Sequence, residues 1–116
     1  MSVSAPDGAG YRPLTGRTAF ANTYRTADRV RRGGIVVLAV AGEAGMPRVG
    51  IVAGKRVGGA VARNRAKRRL RATLREVSLA EDTTYVVIAD AEVVDADYRR
   101  LVGWLQSAVD QLRSTN

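Results

Sequence analysis

The chain has 116 residues, 46% of them hydrophobic, and carries 19 Lys/Arg against 11 Asp/Glu for a formal charge of +8, with no Cys and no His. That length and apolar content suit one domain with a single core. The missing thiols and imidazoles exclude a disulfide framework and a cysteine nucleophile, make a protein-borne zinc site untenable, and remove the commonest general base at neutral pH.

The first 13 residues are rich in Ser, Gly and Pro and show no apolar period, so residues 1–13 are expected to be a flexible tail and 14–116 a single domain. This start also lacks the basic and apolar regions of a secretory signal. The longest apolar run, Ile35 to Ala41, is far shorter than the ~20 residues that cross a bilayer, so a cytoplasmic protein with no membrane partner is expected. Phe20, Tyr24 and Ala27 recur at helical spacing and predict a short helix from Thr18 to Ala27, capped by Thr15 or Thr18. Gly33-Gly34 ends the basic run before it. "IVVLAV" reads as a buried strand, "GEAGMP" as a turn and "RVGIVAG" as a second strand, with a loop short enough for an antiparallel hairpin.

A helix is predicted from Ala60 to Val77. On a wheel centred on Leu70, Ala66, Thr73, Leu74 and Val77 fall within about 60°. Asn64, Lys67, Arg68, Arg71 and Arg75 form one contiguous arc, and Arg65 and Arg69 lie on the opposite flank. "YVVIAD" follows as a third strand. The last helix is predicted from Asp97 to about Arg113 with Asp95 as its cap, and with Tyr98, Leu101, Leu105, Ala108 and Leu112 facing inward.

Charge is distributed unevenly. Up to Arg75 there are sixteen Lys/Arg and three Asp/Glu; from Glu76 onward there are three and eight. Between Lys55 and Arg75 nine of 21 residues are Lys or Arg and none is acidic. A face charged for solubility mixes signs at i,i+4, whereas here Lys67 and Arg71, Arg68 and Arg71, and Arg71 and Arg75 repel. Such a helix is weakened alone and strengthened by an anion, and the excess of Arg over Lys suits bidentate contact with phosphate. A membrane-surface helix would need a larger apolar face. Nucleic acid is therefore the expected partner, and composition alone leaves DNA and RNA open.

The stretch "RVGIVAGKRVGGAVARNRAKRRLRATLRE", Arg48 to Glu76, resembles the signature of the bacterial ribonuclease P protein subunit: a strand, a basic pair, a Gly-rich lead-in, and then Arg-Asn-Arg-x-Lys-Arg-x-x-Arg. Arg63, Asn64, Arg65, Lys67, Arg68 and Arg71 match in order and spacing, and a weaker likeness covers residues 14 to 110. The resemblance implies an α/β fold, an α+β two-layer sandwich of helix, strand, strand, helix, strand, helix with a left-handed crossover between parallel strands around the basic helix. It implies a non-catalytic subunit of a ribonucleoprotein endonuclease, bound to ribonuclease P RNA and to precursor tRNA rather than to DNA. Lys55, Arg56 and the six motif residues would contact RNA, and Phe20 and Tyr24 would receive the 5′ leader, unless both rings simply belong to the core. The cofactor implied is Mg²⁺, held by the RNA. The missing His and Cys fit that division, because a protein that only positions RNA needs charge, stacking surfaces and shape.

Two other patterns have plainer readings. Gly50, Gly54, Gly58 and Gly59 do not match a phosphate-binding fingerprint, and close approach of RNA backbone or a tight strand-to-helix turn accounts for them better. Asp90, Glu92, Asp95 and Asp97 read as helix caps and a solvated acidic edge rather than a metal site. The competing function is a ribosome-associated structural RNA-binding protein with no role in tRNA processing.

Overall fold

The computed structural model describes residues 10–114, so residues 1–9 of the expected tail lie outside the described residues. The elements are β1 (Arg12–Pro13), α1 (Arg17–Thr26), β2 (Asp28–Arg32), β3 (Ile35–Ala41), β4 (Arg48–Ala53), α2 (Ala60–Leu74), β5 (Thr83–Ala89), a 3-10 turn (Ala91–Val94) and α3 (Tyr98–Ser114). They form one five-stranded sheet in the order β1-β4-β5-β3-β2. β1, β4 and β5 are parallel neighbours, while β3 runs antiparallel to both β5 and β2.

Period-2 alternation divides the sheet residues between two cores. Ile35, Val37, Val49, Tyr85, Val87 and Ala89 face a core shared with α2 and α3. Leu38 and Val86 face the other way, against Leu14 and the half-buried Ala19, Phe20 and Ala27. The result is a two-layer sandwich with α1 as a small cover on the second face, in agreement with the predicted fold class.

Several expectations change. Order begins before Leu14: Tyr11 is buried, and Arg12 donates its N–H to the Pro47 carbonyl at 2.8 Å as β1 joins the sheet edge. β3 and β4 are not a hairpin, because β5 lies between them and bonds to both. The loop between β3 and β4 is anchored instead to the start of β5, through Gly42 N–H to the Asp82 carbonyl at 2.9 Å and Asp82 N–H to the Gly45 carbonyl at 2.8 Å. The true hairpin joins β2 to β3 through Gly33-Gly34, with Arg32 paired to Ile35.

Helix starts also differ. Gly16 precedes α1 and provides no side-chain cap, so neither Thr15 nor Thr18 fills that role. Asp97, not Asp95, caps α3, accepting from the Arg100 N–H at 3.3 Å. Of the predicted inner face, Leu101, Leu105, Ala108 and Leu112 are buried. Tyr98 is exposed and donates its hydroxyl to Glu76; this bond, first, and partial burial raise its pKa above the usual tyrosine value.

The Gly33 turn fixes how β2 meets α3. Its φ of +52° is in the left-handed region, and a Cβ added there would fall 1.9 Å from the Trp104 ring. Replacing Gly33 with Ala should therefore combine backbone strain with a forced displacement of Trp104, at a cost of about 2–4 kcal/mol. Urea denaturation checks this. An unchanged midpoint would show that Trp104 does not pack on the turn.

Candidate nucleic-acid interface

Local sequence does little to start α2. Its N-cap is Gly59 with no side-chain bond, and its first turn contains no acid. Arg63 and Arg65 near this end oppose the helix dipole. What holds the helix is its inner stripe: Ala66, Leu70, Thr73 and Leu74 are buried, with Val77 just beyond the last turn. Each buried leucine contributes about 2–3 kcal/mol. The predicted apolar arc is thus the docking face, and the charged arc turns outward by default.

The flank bearing Arg65 and Arg69 has a different role. Arg65 Nε donates to the Val94 carbonyl at 2.9 Å, and Arg69 donates through Nη1 to the same carbonyl at 3.2 Å and through Nη2 to the Ala96 carbonyl. Arg69 is half-buried, and its Nε is buried with no partner. Two guanidinium groups therefore clamp α2 onto the 3-10 turn and the segment leading into α3. Arg65, predicted to contact RNA, already has its Nε engaged within the protein.

The remaining motif residues are free of such ties. Arg63 and Lys67 are half-buried, and Asn64, Arg68 and Arg71 are exposed. None of Arg63, Lys67, Arg68 and Arg71 forms an ion pair among the described residues. Lys55 and Arg56 stand exposed in the turn between β4 and α2. That turn is closed by Val57 N–H to the Gly54 carbonyl and Gly58 N–H to the Lys55 carbonyl, each at 3.1 Å, with Gly58 at φ +138°. The tight-turn reading of these glycines holds.

Gly50 serves another end. A Cβ there would lie 2.4 Å from the Phe20 ring, so its missing side chain seats that ring against β4. Phe20 is half-buried, whereas Tyr24, one turn further along α1, is 40% exposed. A cavity of about 510 Å³ at the β1–β4 edge is lined by Tyr11, Leu14, Phe20 and Ile51 on its apolar side and by Lys67 and Arg71 of α2. The structure thus joins Phe20 to the basic helix across one groove, with Tyr24 outside its lining.

Sequence reasoning missed a further bank of charge. Arg29 pairs with Leu38 and Arg31 with Val36, so both side chains lie on the sheet face that α1 only partly covers. Arg32 alternates to the other face, where its Nε donates to Ser107 Oγ at 3.0 Å. The signal was present as spacing two in "RVRR", but with one apolar residue in five the strand had no hydrophobic alternation to reveal it.

An α/β sandwich whose Arg63, Lys67, Arg68 and Arg71 form no ion pair among the described residues, with an apolar groove alongside and two guanidinium groups holding that face in place, has the surface of a nucleic-acid-binding protein. The ribonuclease P family pattern matches residues 10–113, and the chain belongs to that family. A ribonuclease P protein component of Beutenbergia cavernae is 51% identical over 73 residues, covering 60% of this chain and 61% of that protein. One from Symbiobacterium thermophilum is 38% identical over 91 residues, covering 76% and 79%. Among solved structures, the RNase P protein of Staphylococcus aureus superposes with a TM-score of 0.76 at 24% identity over 90% of this chain and 97% of that one. The RNase P protein of Thermotoga maritima gives 0.76 at 22% identity over 86% and 96%. These structures share the fold.

The two flanks of α2 should separate in mutants. Arg69→Met leaves the Ala96 carbonyl without its guanidinium donor and the Val94 carbonyl with Arg65 alone, and should cost about 1–3 kcal/mol of stability while leaving the salt dependence of RNA binding unchanged. Arg68→Ala together with Arg71→Ala should spare the melt and flatten the log-log salt slope by roughly 1.5. Parallel melts and salt titrations check this, and the reverse pattern would reassign the flanks.

Proposed function

We propose that the chain is the protein subunit of bacterial ribonuclease P, binding the catalytic RNA and the 5′ leader of precursor tRNA during endonucleolytic removal of that leader. The observation that supports this reading is the face of α2 bearing Arg63, Lys67, Arg68 and Arg71, none of which forms an ion pair among the described residues, set beside an apolar groove that includes Phe20. Lys55, Arg56, Arg63, Asn64, Lys67, Arg68 and Arg71 would meet phosphates, with Arg65 contributing through whatever its clamp leaves free. Phe20 and Tyr24 would offer rings to unpaired leader bases, for which stacking is tolerant of sequence.

Mg²⁺ belongs to this reading as the RNA subunit's ion. Among the described residues no group of three or more carboxylate, imidazole or thiol side chains is placed to hold a metal. On this reading the protein's contribution is electrostatic and steric: it lowers the repulsion between RNA strands and holds the leader in register. When bound in the RNA, Mg²⁺ would supply the activated nucleophile and stabilise the leaving group. No helix among the described residues is long and apolar enough to cross a membrane.

Reconstitution with ribonuclease P RNA tests the proposal. At low Mg²⁺ the protein should raise 5′ cleavage of precursor tRNA above that of the RNA alone; no gain would leave an RNA-binding protein without this role. In the same assembly Tyr24→Ala should weaken precursor binding by about 1–3 kcal/mol and leave mature tRNA unaffected. Equal losses for both tRNAs, with a lowered melting temperature, would place the ring in the core.

A further inference from the structure

The sheet ends in two edge strands, and they are closed to other strands in different ways. At one edge Arg12 of β1 and Leu14 just beyond it donate their N–H groups inward, to the Pro47 and Val49 carbonyls. Pro13 lies between them, so the residue whose backbone faces outward has no N–H to offer. β2 forms the other edge, with all five of its residues paired to β3 on one side. The two-residue turn at Gly33-Gly34 makes Arg32 and Ile35 a hydrogen-bonded pair, and from there the ladder alternates. Val30 and Asp28 therefore bond to β3, while Arg29 and Arg31 turn their N–H and C=O groups outward. No proline interrupts this strand.

What covers it is a side chain. Arg32 Nη1 donates to the Arg31 carbonyl, one of the outward groups, at 2.8 Å. The same guanidinium is fastened to α3 by its other nitrogens: Nε donates to Ser107 Oγ at 3.0 Å and Nη2 to Gln111 Oε1 at 3.4 Å. A strand arriving on β2 would have to take that carbonyl and expel the guanidinium from it. Charge is a second deterrent. If two copies met antiparallel through β2, with Val30 on the two-fold axis, Arg29 of each would stand opposite Arg31 of the other, and like charges placed so destabilise a sheet. Asp28, the strand's only acid, would meet Arg32, whose guanidinium is already tied to α3.

We propose that Arg32 is a guard on the β2 edge of the sheet, which keeps a second copy of the chain from adding there. A second copy is the partner that most needs excluding, because it is present at the chain's own concentration and carries an edge of the same length. Exposed edge strands pair with one another unless something blunts them. With one edge blunted by Pro13 and the other by Arg32, the chain stays a monomer and its basic surface stays accessible. This holds whichever RNA that surface binds.

Sedimentation equilibrium of the full chain tests this at about 1 M chloride, where a screening length of about 3 Å removes most of the repulsion between Arg29 and Arg31. The unmodified chain should be monomeric. Arg32→Ala should self-associate, with a dimer dissociation constant lower by about tenfold or more, the worth of one recovered hydrogen bond in each copy. Adding Arg31→Pro should return it to a monomer, because proline there removes an outward N–H and none of the bonds to β3. Ser107→Ala with Gln111→Ala releases the guanidinium from α3 without touching β2 and should give part of the same gain, which decides the question if Arg32→Ala lowers the melting temperature. No gain in association in either variant, or a dimer that survives Arg31→Pro, would overturn the proposal.

Discussion

The structure depends on how a helix that repels itself is held down. α2 brings like charges together at i,i+3 and i,i+4, begins without a cap, and places cations at the end where the helix dipole disfavours them. Its Ala, Leu, Arg and Lys residues favour a helix and Arg71 suits the last turn, but neither fixes where the helix docks. Its position is set by the buried stripe of Ala66, Leu70, Thr73 and Leu74, and by the guanidinium groups of Arg65 and Arg69 on the carbonyls of Val94 and Ala96. Docking is done by one face and one flank, which leaves Arg68 and Arg71 exposed on the opposite arc.

That arrangement divides a basic motif into two kinds of residue. Arg69, with a buried Nε, acts on the protein; Arg68 and Arg71, exposed and unpaired, can act only on something outside it. A uniform count of positive charge would treat them alike. On β2, Arg32 is tied to α3, while Arg29 and Arg31 lie on the sheet face that α1 only partly covers, Arg31 at 4.0 Å from Asp90. Charge on this chain is useful where packing leaves it unsatisfied.

Much of this was legible in the sequence, for identifiable reasons. The stripe of α2 was read correctly because 3.6-residue periodicity survives in a highly charged helix: Leu70 and Leu74 anchor it whatever lies between them. The resemblance carried by Arg63 to Arg71 identified the family. Strand order was not legible, since the hairpin expected between β3 and β4 is opened by β5, a strand that begins more than forty residues after β3 and inserts between them. The Arg65 and Arg69 clamp was equally hidden, because its acceptors are backbone carbonyls 25 to 29 residues away, and carbonyls have no sequence signature. Gly50 was read, with Gly54, Gly58 and Gly59, as part of a tight turn or a close approach of RNA backbone; the space at Gly50 belongs to Phe20.

If the outward arc of α2 raises the free energy of the folded protein until an anion neutralises it, bound phosphate must stabilise the chain by mass action. The direct measurement is the thermal midpoint of the full chain in pyrophosphate or phosphate against chloride at matched ionic strength. A higher midpoint is expected in the phosphates, by about 4–8 °C for each kcal/mol of linked binding in a domain of this size. Equal midpoints would contradict it, since they would show that the arc carries no anion sites and that its charges are merely solvated.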